Sequence, residues 1–266
     1  MQTSGGQPEK AGSLVWPYKI DSDNTIKAEA KCLIWSEQLD NDGPFVLKMY
    51  RHRGLANFMR EKILTFRAQR EFRILEHLHR EGIPCSIPHF WTCGYFKAYG
   101  FYEILCTRQI PNTKPLEDLL APRLAVNHDI DLGPLFQIVQ KMHMCGVYHG
   151  ALSTKNILTA AAAGNAQTNF YLIDFARSWL FPGSIYEKKI AWYDIFKLVR
   201  SIENDLGAGS CDPYLVQYGF GERSLKKFYQ DAGRYKLYSR KQKRIKNILK
   251  VKVFFLAILT RLKTKA

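Results

Sequence analysis

The chain reads as an α+β protein of two lobes, a small mainly β lobe followed by a larger helical one. Three observations lead there. Apolar residues alternate or cluster over 26–36, 45–50, 90–95 and 99–108, which reads as strands, with one helical stretch at 65–80 among them. Gln109-Ile-Pro-Asn-Thr-Lys-Pro115 then breaks the pattern and marks the place where two lobes should meet. Beyond it, two longer helical stretches at 129–145 and 191–203 flank a short hairpin.

The length of 266 residues allows one large or two small lobes with a real core. An apolar content of 46% is ordinary for a soluble globular protein. The boundaries expected are a disordered polar tail over 1–20, a first lobe over 21–110, a second over 111–222, and a basic helical segment over 223–266. Residues 1–10 lack the apolar centre of a signal peptide. The six cysteines form no CxxC pair, so reduced structural thiols in a cytosolic compartment are expected.

The net charge of +15 is concentrated at one end. Residues 223–266 hold fifteen Lys or Arg and one acid, Asp231. A basic tail on a nearly neutral body points to a polyanionic partner such as anionic lipid, lipopolysaccharide phosphates or nucleic acid. The apolar run 251–259 is far shorter than the roughly 20 residues of a membrane span. An interfacial helix on an anionic membrane and a final helix packed on the core both fit it. Aromatic residues on a basic groove are not evident, so a nucleic-acid partner is not expected.

In the first lobe, Asn41-Asp-Gly-Pro44 reads as a tight connection between strands. Lys48 lies in the buried-looking strand Phe45-Val-Leu-Lys-Met-Tyr50, where a lysine is costly unless paired or solvated. The helix over 65–80 carries Phe66, Ile74, Leu75 and Leu78 near helical spacing, with Glu71 among them. Glu71 is the candidate partner of Lys48; Glu61 and Glu76 are rivals. Gly82, Pro84 and Pro88 end this helix. In the second lobe, Ile130, Leu135, Ile138, Val139 and Met142 form the buried stripe of the helix over 129–145, which Gly146 stops.

The polar signal is Tyr148-His-Gly-Ala-Leu-Ser-Thr-Lys-Asn156 followed by Leu172-Ile-Asp-Phe-Ala-Arg177. Residues 170–173 read as a strand that ends at Asp174, paired with 157–158. The Ala- and Gly-rich stretch 159–169 reads as a loop lengthening that hairpin at little entropic cost. Asn156 can turn its amide oxygen, and Asp174 its carboxylate, toward one divalent ion.

These stretches resemble the catalytic and metal-binding loops of protein-kinase-like phosphotransferases, in which His-x-Asp-Leu-x-x-x-x-Asn is the usual pattern. His149, Leu152 and Asn156 fall in register. Over most of residues 25–205 the chain resembles the lipopolysaccharide core heptose and Kdo kinases, which share the fold. The resemblance implies ATP and Mg²⁺, a lipopolysaccharide core or other glycolipid acceptor, and a cytoplasmic enzyme peripheral to the inner membrane. It implies that Lys48 binds phosphates, Glu71 orients Lys48, and Asn156 and Asp174 bind metal. It also implies that Asp194 braces the catalytic loop through backbone amides; an acid at a helix N-terminus is the alternative reading of that residue.

Two departures stand out. No glycine-rich loop precedes Lys48, since residues 21–31 contain no glycine. Ala151 occupies the position of the general base. With both metal-ligand positions kept, an engineered Asp→Ala change is the favoured reading of Ala151, ahead of a natural pseudokinase or scaffold and of an accidental match.

Overall fold

A computed structural model describes residues 25–29, 32–38, 43–52, 54–55, 57–59, 65–97, 100–121, 130–161, 168–222 and 224–231. The tail expected over 1–20 and most of the basic segment over 223–266 lie outside these residues, as does part of the loop expected over 159–169.

The first lobe is built on an antiparallel sheet in the order β1-β2-β3-β5-β4. Its strands are β1 (Thr25–Glu29), β2 (Cys32–Gln38), β3 (Pro44–His52), β4 (Pro88–Phe96) and β5 (Gly100–Arg108). The single strand expected over 26–36 is thus two strands of a hairpin, with Glu29 opposite Cys32. The physical reason was present in the sequence. One straight strand would set Lys27, Glu29 and Lys31 on the same face as Leu33 and Trp35, and a buried face does not accept that mixture.

Alternation along β3 sorts its side chains. Phe45, Leu47 and Met49 join Leu33, Trp35, Ile104 and Cys106 in a cluster on one face. Tyr50 belongs instead to the larger core, with Ala68, Ile74, Leu75 and Leu78 of α1 (Arg67–Arg80). Lys48, two residues from Tyr50, points to the same side. The helix starts at Arg67 rather than Thr65, because Thr65 sits at a φ of 76° and Phe66 is extended.

The chain enters the second lobe through β6 (Lys114–Pro115) and α2 (Leu116–Leu120). Then follow α3 (Gly133–Met144), β7 (Val147–Tyr148), β8 (Ile157–Ala161), β9 (Thr168–Leu172), β10 (Trp179–Leu180), α4 (Lys189–Leu206) and α5 (Asp212–Tyr218). The helix expected from residue 129 begins at Gly133, with a proline in its first turn and Asp131 Oδ1 accepting from the Gly133 N–H at 2.8 Å. Ile130 therefore precedes it. Leu135, Phe136, Val139 and Met142 are its buried face. β6, β8 and β9 make one small sheet, and β7 pairs with β10 in another.

One core joins the lobes. Leu172 at the end of β9 bridges to Cys85, and the Leu172 N–H donates to Pro84 O at 3.0 Å. Among the described residues, no helix is long and apolar enough to cross a membrane.

Candidate functional site

Lys48 leaves β3 on the face covered by α1 and meets two carboxylates. Its Nζ lies 3.2 Å from Glu71 Oε1 and 2.5 Å from Asp174 Oδ1. Glu71 is buried, whereas its rival Glu76 is exposed and Glu61 lies outside the described residues. The second oxygen of Glu71 accepts from the Tyr50 hydroxyl at 2.5 Å. Burial alone would depress the Lys48 pKa, but Glu71, Tyr50 and Asp174 outweigh it and hold the ammonium well above its usual range. Asp174 shows the mirror case. Burial pushes its pKa up, and the Lys48 charge and hydrogen bond more than reverse that.

Asp174 sits just past β9 with φ 62° and ψ 64°, a left-handed conformation that a non-glycine residue adopts at a cost. The bend turns its side chain out of the strand, leaving it 42% exposed beside Lys48. Downstream, the Ala176 carbonyl accepts from an Arg70 guanidinium nitrogen at 3.0 Å, tying this loop to α1.

The 148–156 loop is held from beneath. Asp194, wholly buried on α4, accepts the N–H of His149 at 2.6 Å and of Gly150 at 2.9 Å. The bracing interaction is therefore present, and Asp194, the sixth residue of α4, does not sit at the very N-terminus of the helix as the alternative reading had it. His149 is buried, and burial lowers its pKa. The neutral ring fits its surroundings: Nε2–H donates to Ile173 O at 3.0 Å, and Nδ1 accepts from the Ala151 N–H at 3.3 Å. The Ser178 hydroxyl donates to His149 O at 2.8 Å.

Asn156 Nδ2 donates to Ala151 O at 2.8 Å, which commits the amide nitrogen to the loop and leaves Oδ1 as its remaining acceptor. Ala151, Asn156 and Asp174 line one cavity of about 540 Å³, whose far wall is α4. Asp174 thus joins two groups of the residues expected from sequence, Lys48 and Glu71 on one side and Ala151 and Asn156 on the other.

The profile described as the lipopolysaccharide kinase (Kdo/WaaP) family matches residues 24–210. The chain belongs to this family. A solved structure of WaaP in complex with acyl carrier protein superposes on this chain with a TM-score of 0.57, over 83% of this chain and 88% of that one, at 15% identity. That likeness concerns the two-lobed protein-kinase-like fold. A Rio2 kinase–ADP/Mg²⁺–phosphoaspartate complex from Chaetomium thermophilum gives a TM-score of 0.47 at 15% identity, over 80% of this chain and 70% of that chain. Among curated sequences, a probable bifunctional tRNA threonylcarbamoyladenosine biosynthesis protein of Methanosarcina acetivorans is 26% identical over 156 residues, 59% of this chain and 23% of that protein. Its counterpart in Methanosarcina mazei is 26% identical over 163 residues, 61% and 25% of the two chains. The kinase-family chain spans about a quarter of the length of these two relatives.

The donor set of the family member suits a hard divalent cation. Among the described residues no cluster of three or more His, Cys, Asp or Glu forms a self-sufficient metal site. One carboxylate residue and one amide residue lining a common cavity fit an ion such as Mg²⁺, which takes few protein ligands and completes its shell with phosphates and water. Sequence reading missed Tyr50, Arg70, Ser178 and Lys197. The last three act through backbone carbonyls, which leave no spacing signal. Tyr50 had one: it lies two residues from Lys48 on a strand.

Proposed function

We propose that this lipopolysaccharide kinase family member transfers the terminal phosphoryl group of ATP, with Mg²⁺, to a sugar hydroxyl of the lipopolysaccharide core or another glycolipid. Lys48 binds the phosphates, Glu71 orients Lys48, and Asn156 and Asp174 hold the metal. The observation that carries this reading is the convergence of Lys48, Glu71 and Asp174, from three separate elements, at 3.2 and 2.5 Å. Phosphoryl transfer asks for that kind of site, because it depends on positioning and on neutralising a dense negative charge.

Each residue has a task that its surroundings support. Glu71 is fixed by Tyr50, so it holds Lys48 in one place. The ammonium stays charged and can meet phosphate oxygens. Asp174 stays ionised. A bound Mg²⁺ would supply positive charge between the phosphates and these two protein oxygens. Asp194 and the His149 ring keep the backbone at His149, Gly150 and Ala151 in position. The chain works at the cytoplasmic face of the inner membrane, where the basic segment over 223–266 meets anionic lipid.

Ala151 offers no proton acceptor to the attacking hydroxyl. Loss of a general base typically costs about 10²–10⁴-fold in rate. Ala151→Asp is therefore expected to raise phosphate transfer from ATP to a heptose- or Kdo-containing acceptor by about that factor. This applies whether Ala151 is an engineered replacement or the natural residue. The same residue favours a second reading, a pseudokinase scaffold that binds nucleotide at the membrane surface. No gain in turnover from Ala151→Asp, with nucleotide binding retained, would select the scaffold.

A further inference from the structure

The first turn of α1 has no cap of its own. Phe66, its N-cap residue, carries no side chain that can accept from the N–H groups of that turn. The Ala68 N–H is taken instead by Glu103 Oε2 at 2.7 Å, from the distant strand β5. Glu103 is wholly buried. A buried carboxylate is costly unless its oxygens are occupied, and the partial positive charge of a helix N-terminus suits it. Its other oxygen, Oε1, lies 2.7 Å from His52 Nε2, close but without hydrogen-bond alignment. The Phe58 ring packs against His52 at 5.6 Å and against Phe66 at 5.1 Å, so one aromatic ring backs both the histidine and the start of the helix. Glu103 takes part neither in the Lys48 ion pairs nor in the cavity lining.

The placement of this cap relative to Glu71 gives it a consequence for the site. Glu71 lies three residues beyond Ala68 on α1, and Tyr50 stands opposite Glu103 on the neighbouring strand β3. Three helical residues advance about 4.5 Å, and adjacent strands stand about 4.8 Å apart. The helix is thus fixed to the sheet twice at matching spacing. Glu103 holds the Ala68 N–H, and the Tyr50 hydroxyl donates to Glu71 Oε2 at 2.5 Å. Ala68 is wholly buried, and its small side chain lets helix and strand approach. A single attachment would leave the helix free to turn and slide about it, whereas two restrict both motions. Those motions decide whether Glu71 Oε1 stays within reach of Lys48 Nζ, at 3.2 Å.

We propose that Glu103 is a positioning residue for the phosphate-binding lysine: capping α1 from β5, with His52 behind it, it sets Glu71 against Lys48. Its consequence for nucleotide binding rests on the phosphotransfer reading, to which it adds a residue that acts on Lys48 only through Glu71. Without the cap, the first turn of α1 leaves the sheet and Lys48 is left to Asp174 alone.

Two measurements on the full chain test this. The first needs no nucleotide. It is the rate at which an acetylating N-hydroxysuccinimide ester modifies Lys48, read by mass spectrometry, with Lys197 on α4 as internal reference. Only the neutral amine reacts; burial favours that form of Lys48, and Glu71 is the strongest influence against it. Glu103→Ala should therefore speed modification of Lys48 about threefold or more and leave Lys197 unchanged. Glu103→Gln, which keeps an oxygen for the Ala68 N–H, should restore most of the protection. Should Glu103→Ala not fold, Glu103→Asp, which keeps the charge but falls short of that N–H, takes its place with the same expectation. The second measurement is affinity for a labelled ATP with Mg²⁺. Glu103→Ala should weaken it about tenfold in the otherwise unaltered chain and no further in a Glu71→Gln background, because the two residues act through one contact. Unchanged modification of Lys48, equal acceleration at Lys197, no protection regained by Glu103→Gln, or ATP losses that add in the Glu71→Gln background would each overturn the inference. If the unaltered protein binds no ATP, the phosphotransfer reading fails, and the Lys48 rates still decide the role of Glu103.

Discussion

His149 illustrates how much one side chain does for this loop. Its buried ring joins two backbone groups, Ile173 O and Ala151 N, from the segments that carry Asp174 and Asn156. Burial lowers its pKa from 6.5; Asp194 and Asp174 oppose the shift and Lys197 adds to it. A histidine pKa that is lower in the folded state gives stability that is complete above the unfolded value and lost as pH falls through the folded value. Melting temperature should therefore drop between pH 8 and pH 5, and His149→Gln should reduce that drop. An equal drop in the variant would contradict the assignment. Lys48, Glu71, Asn156 and Asp174 were legible in the sequence because a charge in an apolar strand and fixed loop spacings carry chemical meaning. Lys197 and Ser178 were not, because what they hold is carbonyl oxygen, which every residue has.

At the level of elements, the turn after α3 sets the entry to the loop. Gly146 has a φ of 86°, and a Cβ there would lie 2.6 Å from Phe181 O and 2.7 Å from Gly183 O. Those carbonyls come close because Phe181 N–H donates to Gly146 O at 2.9 Å as β7 and β10 meet. Gly146→Ala adds a left-handed penalty and a backbone clash, so a loss of about 2–4 kcal/mol is expected by denaturant unfolding. A loss below about 1 kcal/mol would mean that the turn relaxes freely. The sequence revealed this glycine as a helix stop, but not what crowds it, since the crowding atoms lie over thirty residues away. The hairpin of β1 and β2 was missed for another reason. Alternation was visible, but the exchange of polar for apolar residues on one face after Lys31 was read through rather than as a break.

Across the whole molecule, a core shared by the two lobes brings α1, β3 and the β8–β9 hairpin to a common point. The two-lobed class was readable because strands and helices segregate along the chain. The fit between lobes was not, because it depends on long-range contacts such as Cys85 with Leu172. The central claim is that this point of convergence binds a nucleotide through Lys48 and a divalent ion through Asn156 and Asp174. The most direct measurement is a fluorescence titration of the full chain with a labelled ATP, with and without Mg²⁺, alongside Lys48→Met and Asp174→Asn. The predicted result is saturable, Mg²⁺-dependent binding that is lost in Lys48→Met and no longer strengthened by Mg²⁺ in Asp174→Asn. Absence of binding in the unaltered protein, or binding that neither substitution changes, would contradict it.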